Sequence, residues 1–311
     1  MAHSGVLSVT EPGEFAEAFH GANVNISVLT PGDFNAKITR AYLPSLLIMR
    51  VSESHPRILH SVVGSDRAIF SFQTERGPGI FRNGVELPPN GIARLARHQS
   101  YFQRSLGPVR WTNMSLPVEE LHTAASCDLT PPQVEAIATP APTAMAKLQR
   151  LNAAAGSLAE SAPEVIDIPE AARGLEQALV EALVTCLGTA DRFEDKAAQR
   201  RHHAIMRRFH AVLEAEPDRP LYVLEMAEAV GVSVRTLSAC CHEHLGVGPK
   251  KYLLLRRMGL ARQALYAAHP DATTVTDVAT QYGFWQLGRF ACEYRLLFGE
   301  SPSLTLRRKR K

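Results

Sequence analysis

The segment from Leu221 to Leu245, LYVLEMAEAVGVSVRTLSACCHEHL, leaves this chain the least conformational freedom. Ala227 is a small residue placed where two helices can touch. Four positions on, Gly231 supplies the positive φ that a tight turn needs, at little steric cost. Ser233 is positioned to cap the helix that follows. Met226, Val230 and Leu237 then share one face and close a small core. A small residue, a glycine, a cap and three apolar positions in this register describe a helix-turn-helix.

A second copy of the pattern follows at 275–298, VTDVATQYGFWQLGRFACEYRLLF. Val278 and Ala279 take the contact role and Gly283 the turn. Phe290, Tyr294 and Phe298 form the buried side of the next helix. The turn is one residue longer than in the first copy, because Gly283 to Phe290 spans seven positions and Gly231 to Leu237 six. Between the copies, PKKYLLLRRMGLARQALYAA (249–268) reads as one long helix carrying Arg256, Arg257 and Arg262. Two rigidly joined reading helices can enter successive major-groove segments about 34 Å apart.

Charge points the same way. Residues 198–311 hold 18 Lys and Arg against 10 Asp and Glu, or +8, while the remainder holds 16 against 21, or −5. A basic third on an acidic body is the footprint of a polyanion-binding module or of a merely soluble basic surface. The five cysteines (Cys127, Cys186, Cys240, Cys241 and Cys292) are odd in number and irregularly spaced. They fit neither a disulfide framework nor a zinc site. No apolar run of about 18 residues exists to span a membrane, and the first residues lack the pattern of a secretory signal. A cytoplasmic location is expected.

Residues 25–120 read as β structure. The runs Ser45 to Val51 and Arg67 to Phe72 are short, apolar and bounded by turn residues. Arg82-Asn83-Gly84-Val85 is a hairpin signal, since both central residues of such a turn need positive φ. Pro88-Pro89-Asn90-Gly91 precedes a further strand pair ending near Trp111. Short strands at this spacing predict a small barrel or sandwich. Pro131, Pro132, Pro140 and Pro142 then mark a linker or the starts and stops of short helices. Residues 144–187 return to helical spacing through Leu175, Leu179, Ala182 and Leu183. These helices suit a dimer interface or packing against the barrel.

The C-terminal third resembles the AraC/XylS family of bacterial transcription regulators over about 198–308. The resemblance rests on Ala227-Glu228-Ala229-Val230-Gly231-Val232-Ser233, Arg235-Thr236-Leu237, Gly248-Pro249, Val278-Ala279, Gly283-Phe284, Phe298-Gly299 and Ser301-Pro302. The run Gly283 to Phe290, with Glu293-Tyr294 and Leu297-Phe298, is similar to a branch that includes regulators of ethanolamine utilisation. The resemblance implies an N-terminal cupin-like β-barrel that binds an effector and supports dimerisation. It also implies double-stranded DNA and RNA polymerase as partners, activation of transcription, and no enzymatic activity or cofactor.

The architecture expected is therefore α+β and multidomain. A cupin-like sensor occupies 1–125, a linker and helical connector 126–197, and an all-α DNA-binding domain with two helix-turn-helix units 198–311. In the first reading helix Leu237 and Cys241 face inward. Arg235, Thr236, Ser238, Ala239 and His242 are left for the groove. An arginine there bridges guanine O6 and N7 or holds a phosphate. Family members often carry a basic residue at the position of Ala239. Its absence here leaves contact with a thymine methyl. In the second helix Trp285, Gln286, Arg289 and Cys292 are the exposed candidates, with Trp285 equally suited to packing. The basic tail 307–311 adds phosphate affinity or is a solubilising end.

Two other function classes compete. A metal-dependent cupin enzyme needs several histidines and a carboxylate on one ion. The barrel region holds His55, His60, His98 and His122 without a His-x-His pair, so no metal site is expected there. His242 and His244 are two apart on a helix and point about 200° apart. A protein-interaction module without DNA binding is the third class, and the intact register of the first unit argues against it. If an effector binds, Phe70, Phe72, Phe81, Tyr101, Phe102 and Trp111 are the candidate walls of its cavity. The same residues suit a plain core.

Overall fold

The apolar runs of the N-terminal half become short strands because turn residues interrupt them before a helix can form. The computed structural model describes residues 3–19, 22–64, 67–95, 100–120, 136–192, 197–216 and 219–308. Its strands are β1 (Gly5–Val9), β2 (Ala22–Val28), β3 (Ala36–Tyr42), β4 (Leu47–Glu53), β5 (Arg57–Val63) and β6 (Arg67–Gln73). There follow β7 (Ile80–Arg82), β8 (Val85–Glu86), β9 (Ile92–Leu95), β10 (Ser100–Ser105), β11 (Val109–Pro117), β12 (Ala136–Thr139) and β13 (Asp191–Arg192). Asn83 and Gly84 take φ of 49° and 84° between β7 and β8, as the Asn-Gly pair predicts.

The strands do not close into the expected cupin-like barrel. They form an eight-stranded sheet in the order β1-β3-β4-β11-β6-β9-β12-β13 and a five-stranded sheet in the order β2-β5-β10-β7-β8. Among the described residues no ladder joins the edges of either sheet. A barrel needs a staggered register that returns on itself. Here two sheets pack face to face instead, through Val24, Leu59 and Tyr101 on one side and Ile38, Val51 and Trp111 on the other.

The helices are α1 (Pro12–Glu17), α2 (Pro142–Ser161), α3 (Pro163–Ile166), α4 (Pro169–Gly188) and α5 (Ala197–Ala215). The C-terminal ones are α6 (Val223–Val230), α7 (Val234–Leu245), α8 (Pro249–Ala267), α9 (Val275–Gln281), α10 (Leu287–Phe298) and α11 (Pro302–Arg307). Residues read as a separate connector are built into the N-terminal body. β12 and β13 extend the larger sheet, and α2 and α4 cover its outer face. Met145, Leu148, Leu179 and Leu183 pack there on Ile48, Phe70, Phe72 and Met114. The packing alternative for these helices is thus realised within the chain.

The smaller sheet turns its outer face to the C-terminal helices. Ile58 of β5 and Phe102 of β10 join Ile205, Met206 and Phe209 of α5 in one core. The molecule stacks as helices, large sheet, small sheet and C-terminal helices, with apolar contact at each level. No described helix is long and apolar enough to cross a membrane.

Candidate nucleic-acid interface

The first helix pair is built as its residues require. Gly231 ends α6 with φ of 73°, a left-handed conformation that an L side chain adopts only with strain. The Val232 N–H then donates to the Ala227 carbonyl at 2.9 Å, closing the turn. Ser233 Oγ accepts from the Thr236 N–H at 3.1 Å, satisfying one of the free donors that begin α7. Ala227, Val230, Leu237, Cys240 and Cys241 are buried together against α5. We expect Ser233→Ala to lower stability by about 1 kcal/mol. Equal denaturation midpoints for variant and native protein would show the cap to be idle.

The second pair repeats the backbone closure. Gly283 has φ of 75°, and the Phe284 N–H donates to the Ala279 carbonyl at 2.8 Å. Any Cβ at Gly283 would lie 2.7 Å from Cβ of Pro220, so both backbone and space require glycine. Thr274 and Asp277 cap α9 reciprocally, with Asp277 Oδ2 accepting from the Thr274 N–H at 2.9 Å. These hydrogen bonds hold the Asp277 carboxyl below its ordinary pKa. Ala279, Phe290 and Tyr294 are buried, and Phe298 packs half-buried against them. The long helix α8 joins the two cores: Tyr252 and Leu253 enter the first, and Met258, Ala261 and Leu265 the second.

What remains outside these cores is the outward face of α7 and α10. On α7, Arg235, Ala239 and His242 are exposed and Thr236 and Ser238 half-buried. Arg235 has no ion-pair partner among the described residues. The Nδ1 of His242 lies 2.7 Å from the Ser238 carbonyl, which turns its ring along the helix. On α10 and the turn before it, Trp285, Gln286, Arg289 and Cys292 are all exposed. Trp285 is 74% exposed, so the packing alternative fails for it. Arg289 is held by Glu293 at 2.7 Å. Arg295 and Leu296 continue this exposed face, and the helical spacing from Trp285 was a signal for them. Arg208 of α5 also reaches the first turn, beside Gly231.

Other basic residues serve inside the molecule. Arg256 donates to the Leu213 carbonyl at 2.7 Å. Arg262 forms a two-pronged pair with Glu11, both bonds 2.8 Å. In the tail, Arg308 pairs with Glu11 at 2.6 Å, while 309–311 lie outside the described residues. Burial pushes the Cys241 thiol up to about 12, as suits a core residue. His98, His122 and Cys127 also lie outside the described residues.

The six aromatic residues expected to wall an effector cavity do not meet. Phe70 and Phe72 lie under α2 and α4, Tyr101 and Trp111 between the sheets, and Phe102 against α5. Phe81 is half-buried with the Arg104 guanidinium 4.2 Å from its ring centroid. The Trp111 indole N–H is taken by Glu53 Oε1 at 2.5 Å. A cleft of about 700 Å³ lies elsewhere, between β2 and α8, lined by Asn23, Asn25, Tyr252, Gln263 and Tyr266. Its walls are more than 200 residues apart in sequence, so no local pattern announces them.

Residues 226–308 match the model of a helix-turn-helix domain family. The chain is 45% identical over 95 residues to the probable thc operon regulatory protein of Rhodococcus erythropolis, covering 30% of this chain and 29% of that protein. It is 37% identical over 98 residues to the XylDLEGF operon transcriptional activator 1 of Pseudomonas putida, covering 32% and 30%. The chain thus spans under a third of the length of these curated relatives. Among solved structures, the AraC-like transcriptional activator CuxR aligns with 84% of this chain and 96% of its own, at 14% identity and a TM-score of 0.43. These relatives are named as regulators, not as enzymes. Residues 226–308 of this chain are thus a helix-turn-helix domain, and the chain is similar over about 95 residues to bacterial proteins named as an operon regulator and a transcriptional activator.

Proposed function

We propose that the chain is a sequence-specific DNA-binding regulator, an activator of transcription that answers to a small-molecule effector. The observation that carries this reading is the outward face of α7. Its opposite side is locked into a core, its start is capped, and Arg235 is exposed without an ion-pair partner among the described residues. A rigid helix presenting an unpaired guanidinium suits a major groove, where arginine reads guanine. The second pair, α9 and α10, serves as a second reader. Arg289, already paired with Glu293, suits backbone positioning there. RNA polymerase and a second copy of the chain are the protein partners this reading entails.

The cleft between β2 and α8 supports effector control, because one wall belongs to the N-terminal body and the other to the reading domain. A ligand that prefers one arrangement of these walls shifts the readers by its differential affinity. The branch resemblance makes ethanolamine the first compound to try.

Selection of bound sequences from random duplex DNA, at near-physiological salt, tests the reading. A motif of two blocks about one helical turn apart is expected. Salt-sensitive binding without any motif, with and without ethanolamine, would overturn sequence specificity. Arg235→Ala is expected to lower discrimination at one base pair by about 1–3 kcal/mol, leaving other positions unchanged. Equal weakening on all sequences would make Arg235 a phosphate contact.

A further inference from the structure

His60 is a buried polar residue whose place in the fold its hydrogen bonds do not explain. It sits on β5 with 1% of its surface exposed, and neither ring nitrogen has a hydrogen-bond partner. Buried polar groups are ordinarily paired. What faces it is another histidine. His210 of α5, 4% exposed, stacks on the His60 ring with centroids 3.0 Å apart. One turn further along α5, Glu214 brings an oxygen to 3.6 Å from His210 Nδ1. Each of the three residues offers an atom within 4.8 Å of those of the other two.

We infer that His60, His210 and Glu214 form a binding site for one divalent transition-metal ion of the zinc class, joining the smaller sheet to α5. Ligand bonds of about 2.0–2.2 Å at tetrahedral angles put neighbouring ligand atoms about 3.3–3.6 Å apart, the spacing of His210 and Glu214. Imidazole binds a metal in its own ring plane, so one of the two stacked rings must rotate out of the stack for both to reach the ion. His210 also lines the cleft.

Two further features support the site. The Asn23 side-chain amide donates to Glu214 Oε1 at 3.3 Å, which orients the carboxylate. Two imidazoles and one carboxylate near a guanidinium disfavour Mg²⁺ and Ca²⁺, which need many oxygens, and favour an ion held by nitrogen.

The test is equilibrium dialysis of the full chain, first stripped with chelator, against Zn²⁺ alone. Co²⁺ is then substituted to read the visible bands of a low-symmetry site. One tight equivalent is expected for the native protein. His210→Ala is expected to weaken it more than about 100-fold, and Asn23→Ala about 10-fold. Circular dichroism checks that each variant is folded. If His210→Ala does not fold, Glu214→Gln decides, because that side chain is 37% exposed and its loss spares the core. No tight equivalent in the native protein, or equal uptake by native protein and Glu214→Gln, would overturn the inference and leave a bare histidine pair.

Discussion

Glu53→Ala is expected to destabilise the N-terminal sandwich by about 3–5 kcal/mol. Glu53 and Arg57 are both fully enclosed, with side chains 0% exposed. The Arg57 Nε and Nη2 donate to the two Glu53 oxygens at 2.7 and 2.9 Å, and Trp111 Nε1 donates to Oε1. Arg57 Nη1 reaches the Gln103 carbonyl at 3.1 Å. Removing the carboxylate leaves a buried cation held only by the Gln103 carbonyl among the described residues, and a buried indole N–H without its acceptor. The cost is the desolvation of those orphans rather than the value of the pair itself, which burial keeps modest. Urea denaturation read by Trp111 fluorescence, with the exposed Trp285 replaced by phenylalanine, isolates the sandwich. A loss below about 1 kcal/mol would mean that water enters and solvates Arg57.

Arg262→Ala is the second large effect, at about 3 kcal/mol, and acts between the two halves of the molecule. Arg262 binds both oxygens of Glu11, lies 3.1 Å from Glu300, and sits 4.6 Å from the Phe298 ring centroid. Its loss leaves two nearly buried carboxylates held by the half-exposed Arg308 and, at Glu300, by the Thr305 hydroxyl. Glu11 precedes α1, whereas Arg262 and Glu300 belong to the C-terminal helices. The variant should therefore unfold in two resolved steps where the native chain's halves unfold together. Arg262→Lys, which keeps the charge but not the fork, is expected to fall between. A single unchanged transition for Arg262→Ala would show that the apolar contact of Ile58 and Phe102 with α5 couples the halves without it.

The two helix pairs were legible because their determinants are local. Gly231 and Gly283 need positive φ, Ser233 caps its own helix, and the apolar spacing from Met226 to Leu237 fits one helical face. All of these lie within about two turns of chain. The Asn83-Gly84 turn was readable for the same reason. The barrel was not, since pairing of β12 with β9 and of β13 with β12 joins segments far apart in sequence. The aromatic residues suited a cavity wall or a plain core, and five of the six are divided among three cores. A strand shows only that its two faces differ or agree, not what covers them.

The sequence by itself determined the helix-turn-helix pattern, the strand-rich N-terminal half and the basic C-terminal third. Each follows from propensity, periodicity or charge counted over short windows. Only the tertiary structure decided that the sheets stay open, that Arg262 pairs inward with Glu11, and that His60 meets His210 across 150 positions. The physical reason is that a side chain's partner is chosen by the packing of layers, and neighbours in space leave no mark on the spacing of residues along the chain.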